Sequence, residues 1–364
     1  MNVLDLHADL VRIPSLSFQE REAADYVEAA FRRVDGLEAG RHGNSVWASL
    51  GDGDDVLLLA SHLDVVPPSE DHPYPPFSPT TVDGAVYGRG AVDAKASGAA
   101  MMAALIGLAE SGWRPEGGRL VVALTECEET GGGEGNGMEK LRRDVFGTEL
   151  PDVSAALVGE PTELKPCLAQ KGLLILIATA HGKTAHAARA HLGENALTVA
   201  ARDLLTIDAF TFDKADPLLG SPTITATMIE GGTAKNVVPD RCTITLDIRS
   251  TPASTHAELT ELVRQSLASE IRVHSERIVP CATAPDARVA RAAVDALTDL
   301  GLDAEPFGSP TASDWIFLTD VPAVKIGPGR SELSHTADEH VEVEQLERAV
   351  DVYAEIARRY FSAP

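Results

Sequence analysis

The chain has 364 residues, with 31 Lys and Arg against 55 Asp and Glu, for a formal net charge of −24. That balance argues against nucleic acid or an anionic membrane as partner, since both are polyanions. At 44% hydrophobic the chain can bury a sizeable core, and its length suits two domains. Only eight of the basic residues are Lys, an acidic, Lys-poor surface of the kind that stays soluble in high salt. The four cysteines (Cys127, Cys167, Cys242, Cys281) form no CxxC pair, which points to a reducing compartment. The N-terminus carries acids early and lacks a basic segment followed by an apolar one, so no signal peptide is expected there. The most apolar stretch, Ala99–Ala109, is far short of the ~20 residues a membrane span needs. The expectation is a cytoplasmic protein.

Taken in order, the chain alternates apolar β-type runs with helical patterns, the signature of an α/β layer architecture. Ser17 and Glu20 have capping-box spacing and open an amphipathic helix predicted to run to about Val34. Val56–Ala60 is a continuous apolar run, as a strand covered on both faces requires, and stops at Ser61-His62-Leu63-Asp64. A helix is expected from near Ser97. Leu120–Leu124 repeats the buried-strand pattern and stops at Glu126-Cys127-Glu128-Glu129; Ala155–Val158 does so and stops at Gly159-Glu160. Three buried strands thus deliver acids or a His at their C-terminal ends, the edge where ligands bind in open α/β sheets.

The middle of the chain differs. Leu173–Thr179, Thr223–Met228 and Thr243–Ile248 read as strands, the latter two alternating, interleaved with helical patterns near Glu194–Ile207 and His256–Ser269. This is an α+β unit of strands with one covered face. After Cys281 the α/β pattern resumes, with helices near Arg288–Leu300 and Val343–Phe361. The second domain is therefore expected as an insertion at 172–280, splitting the first into 1–171 and 281–364.

The chemistry-bearing residues gather at the predicted strand ends. His62 and Asp64 lie on the same side of one of them. Asp93 follows the loop Gly88-Arg89-Gly90, Glu160 precedes Pro161, and His335 lies far downstream in Ser334-His335-Thr336-Ala337-Asp338-Glu339. Glu128-Glu129 runs directly into Thr130 and three glycines. Two His and several carboxylates at one edge suit an N/O site for a divalent ion such as zinc. Any one of these residues alone would be an ordinary loop or surface group; acids beside buried strands are poorly tolerated unless paired or metal-bound.

The motifs SHLDVV (61–66), YGRGAVDAK (87–95), ECEETGG (126–132), GEPT (159–162), GKTAHAARAHLGENAL (182–197), GGTAKNVVPD (231–240), LDIRSTP (246–252) and GPGRSELSHTADE (327–339) follow one another along essentially the whole chain. In that order they resemble the M20 family of dizinc amidohydrolases, which includes acetylornithine deacetylases, succinyl-diaminopimelate desuccinylases and glutamate carboxypeptidases. The resemblance implies a catalytic α/β domain, with a mixed central sheet flanked by helices, and an inserted α+β lid and dimerisation domain, hence a homodimer. It implies two divalent ions, zinc or alternatively cobalt. His62 and Glu160 would hold one, Glu129 and His335 the other, and Asp93 would bridge them. Asp64 would orient His62 through its far nitrogen, and Glu128 would be the general base.

The same resemblance makes His186 the donor to the developing oxyanion, reaching into the partner subunit's site. Asn236 and Arg249 fall on positions that contact substrate, Arg249 by pairing with an α-carboxylate; an ordinary ion pair at a strand end competes with that role. Cys127 reads as a small buried residue and no nucleophile, Lys95 as a charge partner near the acids, and His72–Pro76 as turn chemistry. The implied reaction is hydrolysis of an N-acyl amino acid. FGSPTASDW (307–315), VKIGPG (324–329) and SHTADEH (334–340) most resemble the acetylornithine-deacetylase branch of arginine biosynthesis. N-acyl-lysine, N-acyl-citrulline and N-succinyl-diaminopimelate deacylases stay open, as does a dizinc peptidase, although the inserted segment argues against a single-domain aminopeptidase. The presence of all five ligand positions and Glu128 counts against a non-hydrolytic binding protein.

Overall fold

A computed structural model describes residues 2–130 and 135–362; the three glycines after Thr130 lie outside the described residues. The chain divides into two compact units. One comprises Met1–Leu168, Ala282–Phe307 and Ser313–Pro364, the other Ala169–Cys281 and Gly308–Ala312. The division thus falls after residues 168 and 281, where the sequence suggested 171 and 280, and the short segment 308–312 groups with the second unit.

The first unit is built on a mixed sheet in the order Glu38–His42, Ser45–Gly51, Gly118–Thr125, Asp55–His62, Val153–Val158 and Ala323–Lys325. The three apolar runs of the sequence are neighbours at its centre, Asp55–His62 lying parallel to strands on both sides. Val56, Leu57, Leu58 and Leu59 are wholly buried, so both faces of this strand are covered. The cover on one side is the helix Lys95–Glu110, apolar around its whole circumference, which packs against Val3–Arg12 and Val343–Ser362. Parallel register also aligns the strand ends. His62 stands opposite Thr125, Leu63 N–H donates to Thr125 O at 2.8 Å and Gly159 N–H to Ala60 O at 2.7 Å. The segments leaving all three strands therefore start from one edge.

The second unit has an antiparallel sheet in the order Thr223–Gly231, Arg241–Ser250, Gly172–His181 and Glu270–Ile278. Alternate residues Leu174, Leu176, Ala178, Ile244, Leu246 and Ile248 are buried, under the helices Ala196–Asp208 and His256–Ser266. A separate two-stranded ladder pairs Ala185–His186 with Val237–Val238.

The capping box expected at Ser17 and Glu20 does not form. The helix runs Arg21–Arg32 without a side-chain cap. Ser17 instead donates to Asp64 Oδ2 at 2.7 Å, and Glu20 Oε1 accepts from Phe18 N–H at 2.8 Å and Cys127 N–H at 3.2 Å. Phe18 sits at φ +70°, which turns the chain away from the geometry the motif needs. A true capping box is made by Thr255 and Glu258. Among the described residues, no helix is long and apolar enough to cross a membrane.

Candidate metal centre

The site begins where the central strand ends. His62 is 2% exposed, and its Nδ1 donates to the main-chain carbonyl of Asp64 at 2.9 Å. That bond fixes the tautomer and leaves Nε2 free to ligate. Asp64 thus faces the far nitrogen of His62 twice, through its main-chain carbonyl and through Oδ1 at 3.5 Å, and its carboxylate has further partners. Its Oδ1 accepts from Glu128 N–H at 3.0 Å, and its Oδ2 from Glu129 N–H at 3.1 Å as well as from Ser17. The buried Asp64 thus pins the turn that presents both glutamates. Cys127, at φ +58°, makes the sharp bend just before them.

Asp93 arrives from the Gly88–Lys95 loop. Gly90 is in the left-handed region at φ +79°, and a Cβ there would lie 2.5 Å from Val65, so the loop needs glycine at this point. The Asp93 carboxylate spans two imidazoles: Oδ1 is 3.2 Å from His62 Nε2 and Oδ2 is 3.6 Å from His335 Nε2. His335 Nε2 is also 3.0 Å from both Glu129 oxygens, and Glu160 Oε1 is 3.8 Å from His62 Nε2. His62, Asp93, Glu129, Glu160 and His335 thus converge, although they are spread over 274 positions of the sequence (335 − 62 + 1). Donor atoms of His62, Asp93 and Glu129 lie within 4.8 Å of one another, close enough for a single ion.

The electrostatics describe a site short of positive charge. Burial pushes Glu160 up to about 8, with Asp93 adding to the effect. Glu128 is raised well above the carboxylate range by burial first, then by Glu160, Asp314 and Glu129, against the pull of His62. Glu129 is raised by burial, despite the bond to His335. Burial alone would lower the imidazolium of His62, but Asp64, Asp93, Glu128 and Glu160 outweigh it and hold the group well above its usual range. For Asp93 burial acts upward, and the bond and charge of His62 overcome it. Glu128, Glu129 and Glu160 are all drawn toward the protonated form because so little positive charge faces them, and two divalent cations would supply that charge and favour the carboxylates. An all-N/O donor set with one shared carboxylate fits a zinc-type pair.

Neighbouring residues complete the arrangement, some of them not marked by the sequence reading. Asp314, buried and pushed up to about 6 by that burial, accepts from Asn136 Nδ2 at 2.7 Å and from Thr125 Oγ1 at 3.0 Å. Its only sequence signal is an acid set beside Trp315. Lys95 Nζ donates to the carbonyls of Leu10 at 2.9 Å and Ile13 at 2.8 Å; burial lowers it to about 7 against the charges of Glu339 and Asp64, so it meets the acids through charge and not through a hydrogen bond. Cys127 is buried, with Sγ 3.3 Å from Glu20 Oε1 and its thiol pushed up to about 12 by burial, the reverse of an activated nucleophile.

The other three predicted site residues belong to the second unit. His186 is exposed, and its Nδ1 accepts from Ala188 N–H at 3.1 Å. Asn236 immediately precedes Val237, the residue paired with His186, and its carbonyl accepts from Ala187 N–H at 2.9 Å. Arg249 is half-exposed and engaged by Asp247 in a two-bond pair, Nε to Oδ1 at 2.9 Å and Nη2 to Oδ2 at 3.2 Å.

A carboxyl beside ligands for two cations equips a protein to split amide bonds with water, and the chain is a metal-dependent amidohydrolase. Residues 58–359 match the family model of peptidase family M20/M25/M40, and the chain belongs to that family. It is 30% identical over 381 residues to a succinyl-diaminopimelate desuccinylase of Rhodospirillum centenum, covering 98% of this chain and 97% of that one. Its fold is similar to the crystal structure of aminopeptidase PepT from Bacillus cereus, with a TM-score of 0.78, 21% identity and 98% of each chain covered. It is also similar to a dinuclear metal binding peptidase of the M20 family from Bacillus subtilis, with a TM-score of 0.75, 18% identity and coverage of 100% and 98%. At those identities the two structures speak for the fold alone.

Proposed function

We propose that the protein hydrolyses the amide bond of an N-acyl amino acid, with N-succinyl-diaminopimelate as its substrate. The observation that carries the reaction is the Glu128–Glu129 turn, whose two main-chain N–H groups both rest on Asp64. Such a turn gives one glutamate to a metal and leaves the next free to handle protons. The succinyl-diaminopimelate reading rests on the Rhodospirillum centenum relative and on similarly named relatives from Wolbachia pipientis and Xanthomonas oryzae. It takes precedence over N-acetylornithine, which the motif resemblance had favoured.

In this reading His62 and Glu160 would hold one ion and Glu129 and His335 the other, with Asp93 as the ligand available to both. Zinc is the first choice for the pair and cobalt the alternative. The pair, when bound, supplies Lewis acidity to the water and to the scissile carbonyl. Glu128 then takes the proton of the attacking water and returns it to the leaving amine.

His186 is the donor for the developing oxyanion. With Nδ1 accepting from Ala188, the neutral ring carries its proton on Nε2, the nitrogen free to donate. Asn236 immediately precedes the strand that pairs with His186. Arg249 would meet a substrate carboxylate through Nη1, the nitrogen Asp247 does not use. The second unit also supplies a dimer surface. Thr223–Gly231 is an edge strand carrying Met228 and Ile229 at 57% and 51% exposure, and Leu205 of the helix Ala196–Asp208 is 73% exposed. An apolar edge of this kind is a template for a second copy. The four buried cysteines, none of them in a disulfide, accord with a cytoplasmic setting.

The reading is tested with N-succinyl-diaminopimelate, N-acetylornithine, N-acetyl-lysine, N-acetylcitrulline and a dipeptide panel, after chelation and again after zinc or cobalt is restored. Metal-dependent release of diaminopimelate ahead of the other products is expected. Chelator-insensitive hydrolysis would overturn the reaction class, and preference for N-acetylornithine would return the substrate to the arginine branch.

A further inference from the structure

Glu339 and Arg89 lie 250 positions apart and are almost wholly buried, 1% and 2% exposed, in a pair with no part in the ligand set. Glu339 Oε1 accepts the main-chain N–H of Val92 at 3.0 Å and of Asp93 at 3.1 Å. Its other oxygen pairs with Arg89 Nη1, and Arg89 Nη2 donates to the main-chain carbonyl of His335 at 3.3 Å. His335 sits at φ +66°, a left-handed conformation that a non-glycine residue keeps only when its surroundings impose it. One carboxylate and one guanidinium therefore join the backbone under the shared carboxylate to the backbone under the most exposed imidazole of the cluster. A buried ion pair is weak evidence for stability, so its position asks for another explanation.

We propose that Arg89 and Glu339 are positioning residues that brace Asp93 against His335 and so set the affinity of the second metal position; the proposal rests on the two-metal reading above. Neither side chain touches an ion or substrate. Glu339 holds the peptide that aims Asp93, and Arg89 relays that anchor to the His335 carbonyl. The second position, built from Glu129 and His335, depends on the brace because His335 is the ligand most exposed to solvent, half-exposed where His62 is buried. The first position, built on the buried His62 and on Glu160, depends on it only through Asp93.

The test uses the whole protein and reads bound zinc rather than turnover. Stoichiometry is taken by elemental analysis after dialysis, and the two dissociation constants by competition with a chelator of known affinity. Arg89→Lys keeps a cation beside Glu339 but lacks the planar fork that reaches His335 as well. The double variant Arg89→Met with Glu339→Gln removes both members of the pair at once, and the glutamine oxygen can still accept from Val92 and Asp93. For both, weaker binding of the second ion by about ten- to hundred-fold is expected, the range for support around metal ligands. The first ion stays near its wild-type affinity, and circular dichroism and melting stay close to wild type. Folded variants that hold both ions as tightly as wild type would overturn the brace alone. A wild-type protein that binds no more than one ion would overturn both the brace and the two-metal reading.

Discussion

The two units hold their functional side chains in opposite ways. In the first, ligands and acids sit at the ends of strands covered on both faces, and each is tied down by several partners: Asp64 alone accepts from Ser17, Glu128 and Glu129. In the second, His186, Asn236 and Arg249 lie on exposed ladder and strand positions, with contacts inside their own turn or strand. Chemistry that needs dense negative charge requires a rigid, low-dielectric frame. Groups that must meet a substrate after it arrives stay near solvent. The contrast predicts that changes in the first unit alter metal binding and proton transfer, while changes in the second alter turnover and leave the metals in place.

The largest effect should come from the first unit. Glu128→Gln is expected to keep both metals and lose at least about a hundred-fold in kcat, the low end for removing a positioned proton carrier. Elemental analysis with steady-state kinetics checks it, and near-normal turnover would remove Glu128 from the role. Next comes His186→Ala in the second unit, with kcat down roughly 10²–10³-fold, as for loss of an oxyanion donor, and metal content unchanged. Mixing it with Glu128→Gln distinguishes action across subunits: mixed dimers regain activity only if His186 serves its partner's site. Returning to the first unit, Asp64→Asn should weaken metal retention about 10–100-fold, because an amide replaces one acceptor oxygen under the Glu128–Glu129 turn; chelator competition measures it.

The smallest effect separates scaffold from site. His7 is wholly buried in the first unit, with Nε2 bonded to Ala91 O at 2.8 Å, and burial lowers it from 6.5 to about 4. Its folded pKa is below the unfolded one, so its stabilising contribution is complete above pH 6.5 and is lost as pH falls through 4. The total loss is about 3 kcal/mol, from the shift and the energy per pKa unit. Melting temperatures at pH 7 and pH 4.5 should therefore differ less in His7→Leu than in wild type. An equal difference would mean that other groups set the acid limit.

Much of this was legible in the sequence because it rests on local patterns. Continuous apolar runs marked the three central strands, and three of the four strands of the second unit were marked as well, two of them by alternation, while Glu270–Ile278 was missed. His62, Glu129 and Glu160 stood out because each of three apolar runs stopped on an acid or a His, whereas Asp93 and His335 follow no such run and joined the set through the family resemblance. What stayed hidden depends on contacts between distant segments. Ser17 and Glu20 looked like a helix cap, yet the fold turns them toward Asp64 and Cys127. Arg89 and Glu339 look like loop residues until the fold brings them together, and nothing near Asp314 in the sequence names Asn136 and Thr125 as its partners. The substrate was least legible, since one metal-binding framework accommodates several acyl amino acids.

The central claim is that the strand-end cluster holds two metals sharing Asp93. Crystals grown with zinc, with anomalous data collected at the zinc edge, test it most directly. The account predicts two peaks on either side of the Asp93 carboxylate, one against His62 and Glu160 and the other against Glu129 and His335. A single peak, or zinc bound away from Asp93, would contradict it.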